Sequence, residues 1–480
     1  MNVKAQFFQV LSGDEVESVH EASLRILSEV GLKFIDETAL RILDEAGAEV
    51  DFKTEIVKMP SSLVEEMVRK APRRFTLCAL NPEKDLNIDG YHTYFGTGNA
   101  LNILEGKGSR RILKEDLKRY MRLADALEHV DFCVGTGVAD APPKTWDIHQ
   151  FEVMVNNSSK HLRPVIASPY GADAILKIAE AVVGGGEALA KRPIISVGYV
   201  ASAPLRWDRT ALYVFRRTAE YNLPVNVESE PLAGGTSPVT LAGTIALANA
   251  EVLGGIVFNQ LLRKGRPCFY SIGFTHTFDL RTALPLSGSP EAMLIASAGA
   301  QLARRYGLPS LSWVSSDSKT VNGQSILEKA ISITVHMLAG NSLIWGLGNM
   351  ESQASMSLEQ TIIDEEIVRL VKRLREGVEV NMETLALEIV KRVGVGGNFL
   401  SEKHTSSHYL REHVQATLLD RATREAWAKK GSTTLMDRVR VKLNRVLESH
   451  QPTPLDEDVR RTIREIAMGA DKEWLKLGYG

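Results

Sequence analysis

Between residues 94 and 348 a short, strand-like apolar stretch gives way to a longer one of helical period eight times over, and this recurrence constrains the fold more than any other feature of the chain. The strand-like runs are Tyr94–Leu104, Phe132–Asp140, Pro164–Pro169, Pro193–Ala201, Pro224–Glu230, Pro267–Phe274, Pro309–Ser316 and Asn341–Gly348. Several begin at proline, which a strand tolerates at its first position. Helical patterns follow them, among them Asp208–Tyr221, Pro238–Arg263, Pro290–Tyr306, Gln324–Ala339 and Leu358–Leu374. The clearest unit is Pro224–Pro238. Val225 and Val227 alternate with Asn226 and Glu228, a Gly-rich loop follows, and Ser237 can cap a helix whose first position is Pro238.

Strands separated by helices call for a parallel sheet. Eight such units predict an α/β fold, a closed (β/α)8 TIM barrel over 91–376. The competing arrangement is a doubly wound open sheet. The first unit is the least regular, because Gly106-Lys107-Gly108 reads as a hairpin turn inside the run. Residues 1–90 read as an N-terminal helical cap, with capping boxes at Ser12/Glu15 and Ser62/Glu65 and a helix start at Asp36. Residues 377–480 read as a polar C-terminal helical extension, its last helix running to Trp474.

A net charge of -2 offers no long-range attraction to nucleic acid or anionic lipid. Met1 to Val10 lack the features of a signal peptide, and no apolar run reads as a membrane span. Cys78, Cys133 and Cys268 are scattered without CxxC spacing, which fits a reducing, cytoplasmic compartment. Cys133 and Cys268 fall at strand beginnings and should face the barrel floor, so neither a catalytic zinc nor a thiol nucleophile is expected at the mouth.

HExxH and GxxxxGK[ST] do not occur, and Gly394 to Asn398 does not complete GxGxxG. Asp147-Ile148-His149 begins an Asp-x-His-x-x-Gly corrinoid signature, but Glu152 stands where the glycine would be. The chain is therefore expected to bind no cofactor covalently and to need no metal of its own. His404 and His408 share a helix face, but His413 lies about 140° round from His408, and a polar face is the simpler account.

In barrels of this kind chemistry gathers where strands end. The polar and aromatic groups there are Asn226, Glu228 and Glu230 in the fifth unit, Tyr270, Phe274 and His276 in the sixth, Trp313, Asp317 and Lys319 in the seventh, and Trp345 and Asn349 in the eighth. Glu228, Asp317 and Lys319 are the expected catalytic residues. Strand alternation points Glu228 inward with Asn226, whereas Asp317 and Lys319 could simply pair at the rim. Tyr94, Phe95, Tyr199 and Trp207 extend the aromatic set. Most such rings pack, yet aromatic faces can also hold a quaternary ammonium by cation–π attraction.

The run Pro231–Thr244 with Asn249 and Glu251 resembles the trimethylamine methyltransferase family. So do Asp317 and Lys319 with Gln324 and Glu328, Leu338–Asn341, Leu358–Gln360 with Asp364–Glu366, and Gly396–Leu400 with Thr405. The similarity runs from about Leu11 to the C-terminus. It implies a (β/α)8 barrel that moves a methyl group from a methylated amine to the cobalt(I) of a separate corrinoid protein. One branch of the family carries pyrrolysine and uses tertiary amines; the other lacks it and uses quaternary amines such as glycine betaine. This chain is written in standard residues and resembles the second branch.

Under that resemblance the donor is a quaternary amine, and trimethylamine is the alternative. The partner's cobalt supplies the nucleophile, and the protein positions N–CH3 and excludes water. Asn226, Tyr94, Tyr270, Phe274, His276, Trp313, Trp345 and Asn349 would line the pocket, with Arg206, His276 or Arg281 to receive a betaine carboxylate. A noncatalytic betaine- or corrinoid-protein-binding module is the reading of another class. A homo-oligomer is expected from the apolar faces of the tail.

Overall fold

The computed structural model describes residues 7–476. Its centre is a parallel eight-stranded barrel: β1 (Tyr94–Thr97), β2 (Phe132–Val134), β3 (His161–Arg163), β4 (Val197–Ala201), β5 (Val225–Ser229), β6 (Cys268–Gly273), β7 (Ser310–Trp313) and β8 (Leu343–Leu347). Sequential strands are neighbours, β8 returns to β1 through Ile344 opposite Phe95, and Leu162 bridges to Ile195 just ahead of β4, closing the ring. The open-sheet alternative is thereby excluded.

Each strand is followed by one long helix: α1 (Lys114–Ala126), α2 (Trp146–Asn156), α3 (Pro169–Val183), α4 (Arg209–Ala219), α5 (Leu241–Leu262), α6 (Pro290–Tyr306), α7 (Gly323–Leu338) and α8 (Leu358–Glu376). Local chemistry sets the ends. Ser289 accepts a hydrogen bond from the Ala292 amide, Pro290 occupies the first turn, and Gly307 ends α6 in the left-handed region.

Two strand assignments move. The third strand is His161–Arg163, because Ser168 caps α3 and Pro169 is its first residue, so the expected Pro164–Pro169 run is loop and helix start. The first strand stops at Thr97. Asn102–Glu105 instead pairs with Gly108–Arg111 in a hairpin on the expected Gly106 turn. Ser237 and Pro238 lie ahead of α5, which is capped at Thr240.

α5 is long and apolar enough, by length and composition, to cross a membrane, contrary to the reading of the sequence, yet 78% of its most apolar window is buried inside the fold. Its Glu251 accepts hydrogen bonds from the Leu205 amide and the Ser229 hydroxyl, both at 2.6 Å. Burial pushes the Glu251 carboxyl up to about 7 from 4.5. Between those values the folded chain holds a proton that the unfolded chain has lost, so stability falls as pH rises across that window, by up to about 3 kcal/mol. Glu251→Gln should flatten this dependence. Melting temperatures of both proteins at pH 5 and pH 8 would check it, and equal pH differences would refute it.

Around the barrel, residues 7–90 hold three α-helices, at Gly13–Arg25, Glu37–Glu45 and Ser61–Lys70, two short helical turns of other pitch, and also five short strands, so the region is not purely helical. The capping box at Ser12 forms, and Asp36 caps the second helix. The third helix is capped at Pro60 rather than Ser62. Met1–Gln6, part of the stretch in which no signal peptide was read, lie outside the described residues.

The hairpin Phe75–Leu77/Leu86–Ile88 stoppers the lower end of the barrel. Phe75 packs edge-on against Phe269 at 5.1 Å, and Leu77 and Ile88 share one buried cluster with Phe132 and Leu343. Past α8 the chain is helical. Leu435–Ser449 lies on α1 and α8, and Glu457–Lys476 lies on α2 and α3.

Candidate active site

β5 supplies the centre of the site. Its residues are all buried, but the two faces differ: Val227 packs outward, while Asn226 and Glu228 point into the barrel. Glu228 is 1% exposed and meets the Arg163 guanidinium at the end of β3, with Nη2 2.8 Å and 3.0 Å from its two oxygens. Burial pushes the Glu228 carboxyl up, and the Arg163 charge opposes the shift. Glycine at 198 makes room: a Cβ there would lie 2.5 Å from Arg163 Nη2.

An aromatic wall stands against this pair. Arg163 lies over the Trp345 ring, 5.1 Å from its centroid. Trp345 sits 5.1 Å from Phe274 and 6.5 Å from Trp313, and the His276 ring packs edge-on to Trp313 at 5.1 Å. His276 Nε2 is 3.3 Å from Glu230 Oε1. Several polar atoms here are buried without a protein partner: both amide atoms of Asn226 and of Asn349, the indole nitrogens of Trp313 and Trp345, His276 Nδ1 and Arg163 Nε. Buried groups of this kind are ordinarily satisfied, so their concentration marks a place built for a small polar or charged molecule.

Two features hold the wall. Gly346 in β8 has φ of +107°, a conformation suited to glycine, and turns the strand just after Trp345. From α7, Lys329 Nζ donates to Gly346 O at 2.7 Å and Val314 O at 3.2 Å and lies 3.1 Å from Asp364 of α8. Both charged side chains are 0% exposed.

Other residues expected at the site lie elsewhere. Tyr94 opens β1 at the floor, where its hydroxyl donates to Asn87 O of the stopper hairpin. Tyr270 has the opposite strand parity to Phe269 and Ser271 and donates to Asn249 Oδ1 in the helical layer. Phe95, Tyr199 and Trp207 also face outward, against Lys372, Phe215 and Glu251. Arg206 pairs with Asp208 and Arg281 with Asp279, both at exposed positions outside the basin. Lys319 is exposed and donates to the Asp317 carbonyl rather than to its carboxylate. Asp317 itself accepts from Ser287, Gly288 and Ser352.

Cys133 and Cys268 turn from the floor toward the helices, and burial pushes their thiols up to about 11 and about 12. His404 and His408 stack at 4.1 Å, and among the described residues no group of three or more His, Cys, Asp or Glu side chains could hold a metal.

The fold is thus a (β/α)8 barrel with an ion pair and an aromatic wall enclosed toward the C-terminal ends of its strands, where barrel enzymes carry their chemistry. Residues 1–471 match the family described as trimethylamine methyltransferase (MTTB), and the chain belongs to that family. The family comprises methyltransferases for methylated amines that work with a separate corrinoid protein.

The chain is 35% identical over 470 residues to trimethylamine methyltransferase MttB of Desulfitobacterium hafniense, covering 96% of this chain and 94% of that one. The identity to MttB of Methanosarcina barkeri is also 35%, over 469 residues with the same coverages. Glycine betaine methyltransferase of Desulfitobacterium hafniense is 32% identical over 473 residues, covering 97% and 98%. The solved monomethylamine methyltransferase MtmB of Methanosarcina barkeri shares the fold, with a TM-score of 0.55 at 15% identity over 93% of this chain and 90% of that one.

Proposed function

We propose that this chain takes a methyl group from a small amine with a trimethylated nitrogen and delivers it to the cobalt(I) of a corrinoid protein. The carrying observation is the enclosed Glu228–Arg163 pair, walled by Trp345, Trp313 and Phe274 and ringed by unpartnered polar atoms. Protonated trimethylamine and a quaternary amine are both cations with diffuse charge on methyl groups. Such a cation is held by aromatic faces and a desolvated carboxylate, which are the groups collected here. The partner's cobalt supplies the nucleophile.

The residues of this chain bind and orient the N–CH3 bond and keep water from it, and the C–N electron pair leaves on nitrogen. A quaternary nitrogen departs as a neutral amine. A tertiary one must hold a proton first, and a carboxylate such as Glu228 keeps it protonated.

The names of the more similar relatives favour trimethylamine as the donor. A second reading, glycine betaine, is favoured by Arg163, a basin cation that could receive a carboxylate, and by a barrel written wholly in standard residues. Buried, unpaired cysteines suit a reducing, cytoplasmic setting.

The test supplies reduced corrinoid protein and follows cobalt absorbance on addition of trimethylamine or glycine betaine. Methylation of cobalt by one of them is expected. Turnover without the corrinoid protein, or with neither amine, would overturn the proposal.

A further inference from the structure

The groups around Glu228 are buried, with Trp313 and Trp345 each 3% exposed, so a protein-borne methyl acceptor reaches them only if something above them moves. Above them lies a small sheet, Leu232–Ala233 with His276–Asp279 and Leu284–Leu286, formed by the loops after β5 and β6. This flap carries the His276 ring onto Trp313.

Its far end is fastened chiefly at Asp317, with the Ser352 hydroxyl also 3.0 Å from the flap's Pro285 carbonyl. Asp317, just past β7, accepts at Oδ1 from the Ser287 amide (2.9 Å), the Ser287 hydroxyl (2.8 Å) and the Ser352 hydroxyl (2.5 Å), and at Oδ2 from the Gly288 amide (3.1 Å). One carboxylate thus joins the loops after β6, β7 and β8, the strands that carry Phe274, Trp313 and Trp345. Ser352 lies in the middle of three consecutive non-glycine residues in the left-handed region, Glu351, Ser352 and Gln353 at φ of 52°, 51° and 82°. That backbone is sterically disfavoured and persists only where its surroundings hold it. The holding contacts include the Asp317 carboxylate and the Pro285 carbonyl at the Ser352 hydroxyl, the Ser316 carbonyl, which accepts from the Ser352 amide, the Ser318 carbonyl, which accepts from the Glu351 amide, and Asn99 Oδ1, which accepts from the Gln353 side chain.

We propose that Asp317 is a positioning residue, the latch of a gate: it pins the 276–288 flap to the left-handed turn at 351–353, and its release uncovers the aromatic wall for the methyl acceptor. The gating role rests on the methyl-transfer reading; the latch does not. Because the carboxylate accepts four hydrogen bonds from two neighbouring loops, it is engaged in holding them rather than a reacting atom, and its loss acts through the flap.

Amide hydrogen exchange on the full-length protein tests the latch directly. Asp317→Ala, and separately the double variant Ser287→Ala/Ser352→Ala, which leaves the carboxylate in place, should each speed exchange in 276–288 and 351–356 by roughly tenfold, with β1 to β5 unchanged. In the corrinoid-coupled assay both should raise KM for the amine by about tenfold with kcat within about threefold, the split expected of lost positioning rather than lost chemistry.

Unchanged flap exchange in the double-serine variant would overturn the latch. So would loss of kcat in Asp317→Ala with full kcat in the serine variant, since that pattern belongs to a group acting on the reaction. If the wild-type protein methylates no corrinoid, the proposed function fails while the exchange data still decide the latch.

Discussion

Glu228→Gln is expected to lower the rate of methyl transfer by at least about a hundredfold, the usual consequence of removing one preorganised charge from an enclosed site. The substitution keeps shape and removes the charge paired with Arg163, whose Nη2 contacts both Glu228 oxygens and whose guanidinium lies on Trp345. A buried cation left alone costs about 3–5 kcal/mol, so the variant should also melt earlier. Single-turnover kinetics with reduced corrinoid protein separate the two effects if both proteins are assayed well below their melting points. Wild-type rates in a destabilised variant would make Glu228 a scaffold residue.

Lys329→Met should give the largest loss of stability without touching the basin. It strands Asp364 at 0% exposure and releases the carbonyls of Val314 and Gly346. Burial alone pushes the Lys329 ammonium down and the Asp364 carboxyl up, so each relies on the other to stay ionised. A loss of about 3–5 kcal/mol is expected in urea unfolding. Adding Asp364→Leu should recover part of it, because the orphaned charge goes too. Recovery stays incomplete, since the Gly348 amide then loses its acceptor at 2.7 Å. A single variant as stable as the wild type would show that the pair is dispensable.

Much of the barrel was legible because its signals are local. Pro290–Tyr306 has a serine cap, a first-turn proline and a terminal glycine, and it came out residue for residue. Val225 to Glu228 alternate strictly, so the inward direction of Asn226 and Glu228 followed from parity. Parity also exposes the error at Tyr270. It lies two residues from Cys268 on the same outward face, yet it shares its parity with the inward Phe274, because the register shifts between Tyr270 and Gly273 and breaks the alternation.

Arg163 escaped because Pro164 was read as the start of a strand. A proline ends this one, and a His-Leu-Arg run has no apolar pattern to announce it. Arg206 and Arg281 looked suitable from strand-end position alone. Their neighbours Asp208 and Asp279 hold them at the surface, a choice between partners that chain order does not reveal. The roles of Asp317 and Lys329 were likewise invisible, since each depends on loops or helices brought together only by closure of the ring.

The stopper hairpin beneath Phe269 has a kinetic meaning. A vessel plugged at the base leaves the flap end as the route in, and both reactants of the proposed transfer would share it. The amine must enter before the bulkier protein covers the opening, and the demethylated amine must wait for that protein to leave. Order of arrival is then dictated by plumbing, and a crowd of corrinoid carriers arriving early would obstruct the traffic they serve.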